Sequence, residues 1–594
     1  MLNDIDKLMQ IIFTCMGGRM GANYLPVSDW SGYLILPESS KRRDDGGVIL
    51  EIKTAPKKYA SLINKKVWLC RDSRAITYYY YDQMKTDIYF DSETQKSIDE
   101  ENNHPERLNG WHAVSFLESL AGSRKNDDML VIINEPEIVK DSVYASCLNI
   151  GREPIQVSGY EYSLVQFVKP ASKNKDKYII RHYNKKKGDF SGEEEKVSIN
   201  ESRIFPRSKV KQGFIDDIEK TDLNRGGWYI YTVHNAKKDR VITAIEPRAL
   251  LTVDYNNEIH GRSKALKYFS DAVWKNRPQG IINKTNIRNL EKNNPEWAEG
   301  DRGVVLHIFG WKGGPMGDPF KEGQRVTGHF ALGFVKVIRD DFTGELKFDI
   351  TYKQAYAHNR ESVIAGSFKR HHFMGNIERG WAFTVPVTDT LVRIPLLTKD
   401  LSGESVSCLM DVLDFFLEKI TIKMRSGNGN GIAPVNAAIN CSQETAMALY
   451  DAAEHILNVK RKHQFIYNDI EKDHHLKEMR KCVNFARKLK SFYVPFFIPS
   501  RRWNKYTNNK KISIKDYTGI NMFVGAILSW RTIIPIVHYK GLLRTILPFA
   551  DCVTVLQSYQ IGGINKEIHP VMPTNNYRKA RIESELDFDT MAQE

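Results

Sequence analysis

"GHFALGFVKVIRDDFTGELKFDITYKQ", residues 328–354, reads as two strands joined by a tight connection. Its flanks are rich in β-branched and aromatic residues. The "DDFTG" between them supplies turn chemistry, with Gly344 available for a left-handed position. His329 opens the first strand, and Ala331, Gly333 and Val335 fall on its face because strand side chains alternate. Pairing back through the turn brings residues around 355–357 opposite His329. Gln354 and His358 are therefore the nearest polar candidates to orient its ring, with Tyr352 behind them.

The second informative stretch is "AAINCSQETAMALYDAAEHI", residues 437–456. Asn440 can cap a helix through its side-chain oxygen, and Gln443, three residues on, can complete a capping box. Cys441 then occupies the first turn, where the helix dipole and free backbone N–H groups favour negative charge. A thiol in such a place is expected to ionise below its ordinary value of about 8.5, in a range of roughly 3.5–7.5. The same N–H groups suit a developing oxyanion. Ala446, Leu449, Ala452, Ala453 and Ile456 form an apolar stripe, so the helix packs into a core with its start at one edge. By themselves, a first-turn cysteine reads equally as a small packing residue and a strand-opening histidine as a satisfied core residue. As a pair they define the candidate site: Cys441 as nucleophile, His329 as base, and Gln354 or His358 behind the base.

The chain of 594 residues is too long for one ordinary core, so several domains are expected. Lys and Arg exceed Asp and Glu by 86 − 72 = 14. The basic residues are dispersed, with short runs only at "NKKKG" (184–188) and "SRRWNKYTNNKK" (500–511). A solvated surface is the expected reading. Nucleic acid is not an expected partner, and an anionic membrane surface stays open. The seven cysteines (15, 70, 147, 408, 441, 482 and 552) form no CxxC pair, which fits a reduced, cytoplasmic setting and no structural zinc. His371 and His372 lack an acidic or third histidine partner at helical spacing, so no metal and no cofactor are expected. HExxH, Walker-type and GxSxG motifs are absent. The most apolar stretch, 518–560, is broken by Arg531, His538, Lys540 and Arg544, and reads as buried core rather than a span.

Along the chain, short strand-like runs from "GYLILP" to "RVITAIEPRALLTVDY" suggest small sandwiches or barrels. The expected fold class is α+β. The divisions are a segment 1–25 with an amphipathic helix, β-rich modules at 26–150 and 151–260, a linker and helix at 261–300, an α+β region at 301–570 with C-terminal helices, and a tail at 571–594. "NKTNIRNLEKNNPEWAEGD" reads as a loop, and the acidic run "SGEEEKVSINESR" (191–203) as a solvated loop.

"HFALGFVKV" followed by "NCSQETA" resembles the His-first, Cys-later order of circularly permuted papain-like enzymes, the lecithin retinol acyltransferase group among them. Several stretches resemble bacterial, mainly cyanobacterial, proteins identified as predicted Abi (CAAX) family proteases. They are "PVSDWSGYLILP" (26–37), "HPERLNGWHAVSFLESLAG" (104–122), "GWYIYTVHNA" (227–236) and "EPRALL" (246–251). "YAHNRESVIAGS" (356–367) and "SWRTIIPIV" (529–537) extend the likeness beyond the two stretches that carry His329 and Cys441. The first resemblance implies a permuted papain-like domain at 301–570 acting on protein, peptide, acyl or amide substrates. The second implies a protease, of prenyl-processing type if its name is followed. Intramembrane enzymes of that type hold paired glutamates and histidines on spanning helices, which this chain does not offer, so thiol chemistry is the primary expectation. A non-catalytic adaptor on a degenerate scaffold, and a basic nucleic-acid or membrane-surface protein, are the other two readings.

Overall fold

The computed structural model describes residues 23–43, 46–71, 115–123, 127–139, 147–173, 175–200, 217–269, 279–288, 296–309, 329–355, 364–378, 386–399, 408–426, 440–463, 472–494, 524 and 527–563. The expected N-terminal amphipathic helix, the run "AITYYYYD", His358 and the tail from 571 lie outside the described residues. The chain is mixed α and β and rich in sheet. Its early strands are β1 (Leu25–Pro26), β2 (Ser31–Ile35), β3 (Val48–Thr54), β4 (Lys66–Arg71), β5 (Met129–Ile132), β6 (Glu137–Val139), β7 (Cys147–Ile150) and β8 (Ile155–Gln156). Next come β9 (Glu161–Pro170), β10 (Lys177–His182), β11 (Glu194–Ile199), β12 (Trp228–His234), β13 (Arg240–Pro247), β14 (Asn257–His260) and β15 (Ile282–Arg288). The last are β16 (Arg302–Phe309), β17 (His329–Arg339), β18 (Leu346–Gln354), β19 (Gly366–Lys369), β20 (Val387–Arg393) and β21 (Cys552–Ser558).

Two sheets result. One has six strands in the order β1-β9-β10-β11-β13-β12. The other has fifteen, in the order β14-β15-β21-β20-β16-β17-β18-β19-β8-β5-β2-β3-β4-β7-β6. β16, β20 and β21 are buried almost throughout, their polar residues included. Such strands need cover on both faces. The helices Leu409–Ser426, Cys441–His463, Lys472–Tyr493 and Pro535–Ile546 cover one face of this region.

Trp30, Leu50, Leu120, Val131 and Leu148 share a core of their own, joined by Ile364. Residues 151–260 do not: Trp228, Ile230 and Ile245 pack in the same cluster as Val305, Leu332 and Val555. The second β module is therefore part of the larger core. The segment 261–300 holds a short helix, Arg262–Lys267, and then β15 where a loop was expected. β15 is fixed by its neighbours β14 and β21, whose pairing overrides the weak strand preference of "INKTNIR". The acidic run also departs from expectation. "EEKVSI" is strand β11, with Val197 and Ile199 buried and Glu194 and Lys196 outward, because alternation outweighs charge on a half-exposed sheet. The apolar 518–560 stretch does enter the core, through Tyr539, Leu542, Leu543 and β21. Among the described residues no helix is long and apolar enough to cross a membrane.

The hairpin read from residues 328–354 forms in the expected register. Leu332 pairs with Lys353 and Arg339 with Leu346. The turn closes through Asp340 and Glu345, with Gly344 at φ +73°. Gly333 is the tight point: a Cβ there would lie 2.5 Å from the Thr351 carbonyl oxygen and 3.0 Å from Tyr352 Cα. Gly333→Ala should cost about 2 kcal/mol of unfolding free energy by overpacking. Urea denaturation of the two proteins measures it.

Candidate functional site

The face of β17 that carries His329, Ala331 and Gly333 is the polar side of this sheet. β16 runs beside it with Phe309 opposite His329 and His307 opposite Ala331, while β20 sets Asp389 opposite His307. On the other flank Tyr352 lies opposite Gly333. The small side chains of β17 let groups from the strands on either side meet above it. The His307 and Tyr352 rings approach to 4.6 Å between centroids.

Asp389 collects the donors. It accepts from His307 Nδ1 at 2.6 Å, Tyr352 Oη at 2.8 Å and Arg370 Nε at 3.1 Å. Arg370 also donates to Glu246 of β13 at 2.7 Å, and Tyr231 of β12 donates to the same carboxylate at 3.2 Å. Burial alone would raise the Asp389 carboxyl. The His307 ring, Arg370 and Tyr352 together outweigh it and hold the acid below its usual range. His307 Nε2 is buried and has no hydrogen-bond partner among the described residues. Of this network only Tyr352 was singled out from the sequence, and there as a residue behind Gln354 rather than a partner of Asp389. Part of its signal was present: His307 in "VVLHIF" is a polar residue inside an apolar run, and such a group must find a partner, whereas Asp389 in "VTDTLVR" stands among other polar residues.

His329 is buried on the same face, and its Nε2 lies 2.8 Å from Gln354 Oε1. An amide oxygen only accepts, so Nε2 carries the hydrogen and Nδ1 keeps the lone pair. Gln354 thus takes the orienting position expected of it. Tyr352, expected behind it, turns to Asp389. Burial first, and the His307 ring second, push the His329 pKa down to about 3, against the Gln354 bond.

Cys441 opens its helix as expected. Asn440 Oδ1 accepts from the backbone N–H groups of Ser442 and Gln443, each at 3.0 Å. Gln443 does not close a capping box; its Oε1 accepts from the Thr532 hydroxyl. The sulfur meets the backbone N–H of Phe330, the residue after His329. The Val337 N–H donates to Asp301 beside β16, so the even-numbered amides of β17 point toward β18. Registered pairing with β18 starts at Leu332, which leaves the Phe330 amide for the sulfur. The expected lowered thiol pKa is not found. Burial, with only 7% of the residue exposed, raises it, and the Phe330 amide opposes that rise without reversing it. A helix start favours a thiolate, but desolvation is the larger effect here.

The two expected partners come to one place but approach it differently. The Lys353–Asp414 ion pair (2.6 Å) and the Phe330–His538 ring contact (4.6 Å) set the helical layer on the face opposite His329. His329 instead faces Phe373 of the short Arg370–Phe373 helix, with ring centroids 5.8 Å apart. Among the described residues no hydrogen bond joins the Cys441 sulfur to His329. His371 and His372 are buried in the short helix, and no metal-binding group of three or more His, Cys, Asp or Glu occurs among the described residues. Comparison of the chain with models of known families, with characterised proteins and with solved structures finds no match in any of the three.

Two outcomes check this geometry. Asp389→Ala leaves three buried donors unpaired and should cost about 4 kcal/mol, by analogy with broken buried pairs, in chemical denaturation. The second concerns acid. His329 and His538 are both held down to about 3 by burial, whereas an unfolded histidine titrates near 6.5. The unfolded chain therefore binds more protons between those values, and stability falls as pH drops from about 6.5 toward 3. His538→Gln should make that fall shallower by about 1.4 kcal/mol per pH unit, read from urea midpoints across the window.

Proposed function

We propose that the chain is a thiol-dependent acyl-transfer enzyme, a hydrolase of peptide or amide bonds or an acyltransferase, built on a permuted papain-like core. The observation that carries the reading is the meeting of a capped, helix-opening cysteine with the Phe330 amide, one peptide unit from a histidine whose Nε2 is fixed by Gln354. In this reading Nδ1 of His329 takes the thiol proton as the sulfur attacks the substrate carbonyl carbon. The proton then passes to the leaving group, and water or a second acceptor releases the acyl group. His329 must turn from its resting face to reach the sulfur, a change that substrate binding would supply. A raised thiol and a depressed imidazole make the resting pair neutral, so proton transfer accompanies attack rather than preceding it.

The burial of Cys441 favours one other reading, a binding scaffold in which the cysteine only packs. The prenyl-processing and membrane-surface readings have no observation of their own beyond the resemblance and the basic charge.

A thiol-reactive vinyl sulfone decides between enzyme and scaffold. An enzyme should be labelled at Cys441, and Cys441→Ala should lose that label with its melting temperature nearly unchanged. His329→Ala should slow labelling at pH 7 by about 100-fold, the ordinary contribution of a positioned base. Labelling of that variant should recover above pH 9, where the thiolate forms unaided. Equal labelling of Cys441→Ala and wild type would leave the scaffold.

A further inference from the structure

A second pair of cysteines lies far from this site. Cys70 is in β4 and Cys147 opens β7, its parallel neighbour, with Trp68 opposite Cys147 and Cys70 opposite Asn149. Side chains two positions apart share a face of a strand, so the two cysteines are diagonal neighbours on one face. Their sulfurs are 2.7 Å apart. That is closer than the roughly 3.5–4 Å of ordinary heavy-atom contact and longer than the about 2.05 Å of a disulfide bond. Cys147 is 4% exposed, whereas Cys70 is half-buried. Gly47, at φ +116°, runs beside the Cys70 sulfur with no side chain to cover it.

We infer that Cys70 and Cys147 form a reversible disulfide, made by hydrogen peroxide and undone by dithiols. The inference is independent of any role for Cys441. The more accessible Cys70 reacts first. Its thiolate sulfur attacks one peroxide oxygen, the O–O bond breaks, and the departing hydroxide takes up a proton to leave as water. Cys70 is then a sulfenic acid. The Cys147 sulfur attacks the Cys70 sulfur, the S–O bond breaks, and the thiol proton leaves with the hydroxide as a second water. Two thiols have lost two electrons and one peroxide has been reduced to two waters. The product fastens β7, and β6 paired to it, onto β4 at the end of the fifteen-stranded sheet. The two linked residues are 77 positions apart, so the bond closes a long loop in the unfolded chain.

The test treats the full-length protein with a small excess of hydrogen peroxide, blocks remaining thiols with N-ethylmaleimide, and maps unreduced peptides by mass spectrometry. The expected product is a Cys70–Cys147 linked peptide two hydrogens lighter than its parts, lost on treatment with dithiothreitol. In Cys147→Ser the sulfenic acid should persist on Cys70 and be trapped by dimedone. Maleimide on both cysteines to the same extent with and without peroxide would overturn the inference. So would a bond from Cys70 to any other cysteine, or sulfinic acid at Cys70 in the wild type without a linked peptide. The wild-type map decides the matter even if Cys147→Ser fails to fold.

Discussion

One buried carboxylate, Asp389, organises the middle of this protein. A charge with almost no solvent exposure is tolerable only if its lone pairs are met, and here three donors from three separate segments meet them. The segments are β16, β18 and the start of the Arg370–Phe373 helix. Arg370 then carries the connection to Glu246, and so to the six-stranded sheet. Two sheets that could slide as apolar layers are locked in one relative position by a chain of directional bonds. The glycine and alanine of β17 are part of the same constraint, since a larger side chain at either position would fill the space in which the His307 and Tyr352 rings meet.

That constraint also explains the character of the candidate site. The face that Asp389 organises is buried and crowded with rings, so His329 is kept neutral and oriented. The cysteine arrives from the helical layer, and burial keeps it a thiol. Both partners are preorganised by groups that hold them still, Gln354 for one and Asn440 for the other, while desolvation holds both uncharged. A site of this kind would be silent until something entered it.

Much of the local structure was legible in the residues. The hairpin, its turn, the Gln354 neighbour and the Asn440 cap each depend on residues close in sequence, where alternation and capping chemistry apply directly. The departures are non-local. β15 is a strand because β21, near the end of the described chain, pairs with it, and nothing in "INKTNIR" announces that partner. The second β module shares the main core because Trp228 and its neighbours pack on residues from the far half of the chain. The opposite approach of His329 and Cys441 follows from which face of β17 the helices cover, a choice that periodicity leaves undetermined. The missed His307–Asp389 pair shows the reverse case: both polar residues were visible, but only the register of β16 and β20 makes them partners.

The strand order carries a consequence for how the chain is made. β21 lies between β15 and β20 in the large sheet, so both keep one bare edge until residues 552–558 exist. β15 ends at Arg288. A ribosome adding roughly 5–20 residues per second needs on the order of 15–50 seconds to travel from there to the end of β21. Throughout that interval two strands near one end of the future sheet await a partner still unsynthesised. A ribosome stalled before residue 552 would release a protein in which β14 and β15 have nothing to join them to the other twelve strands of the large sheet.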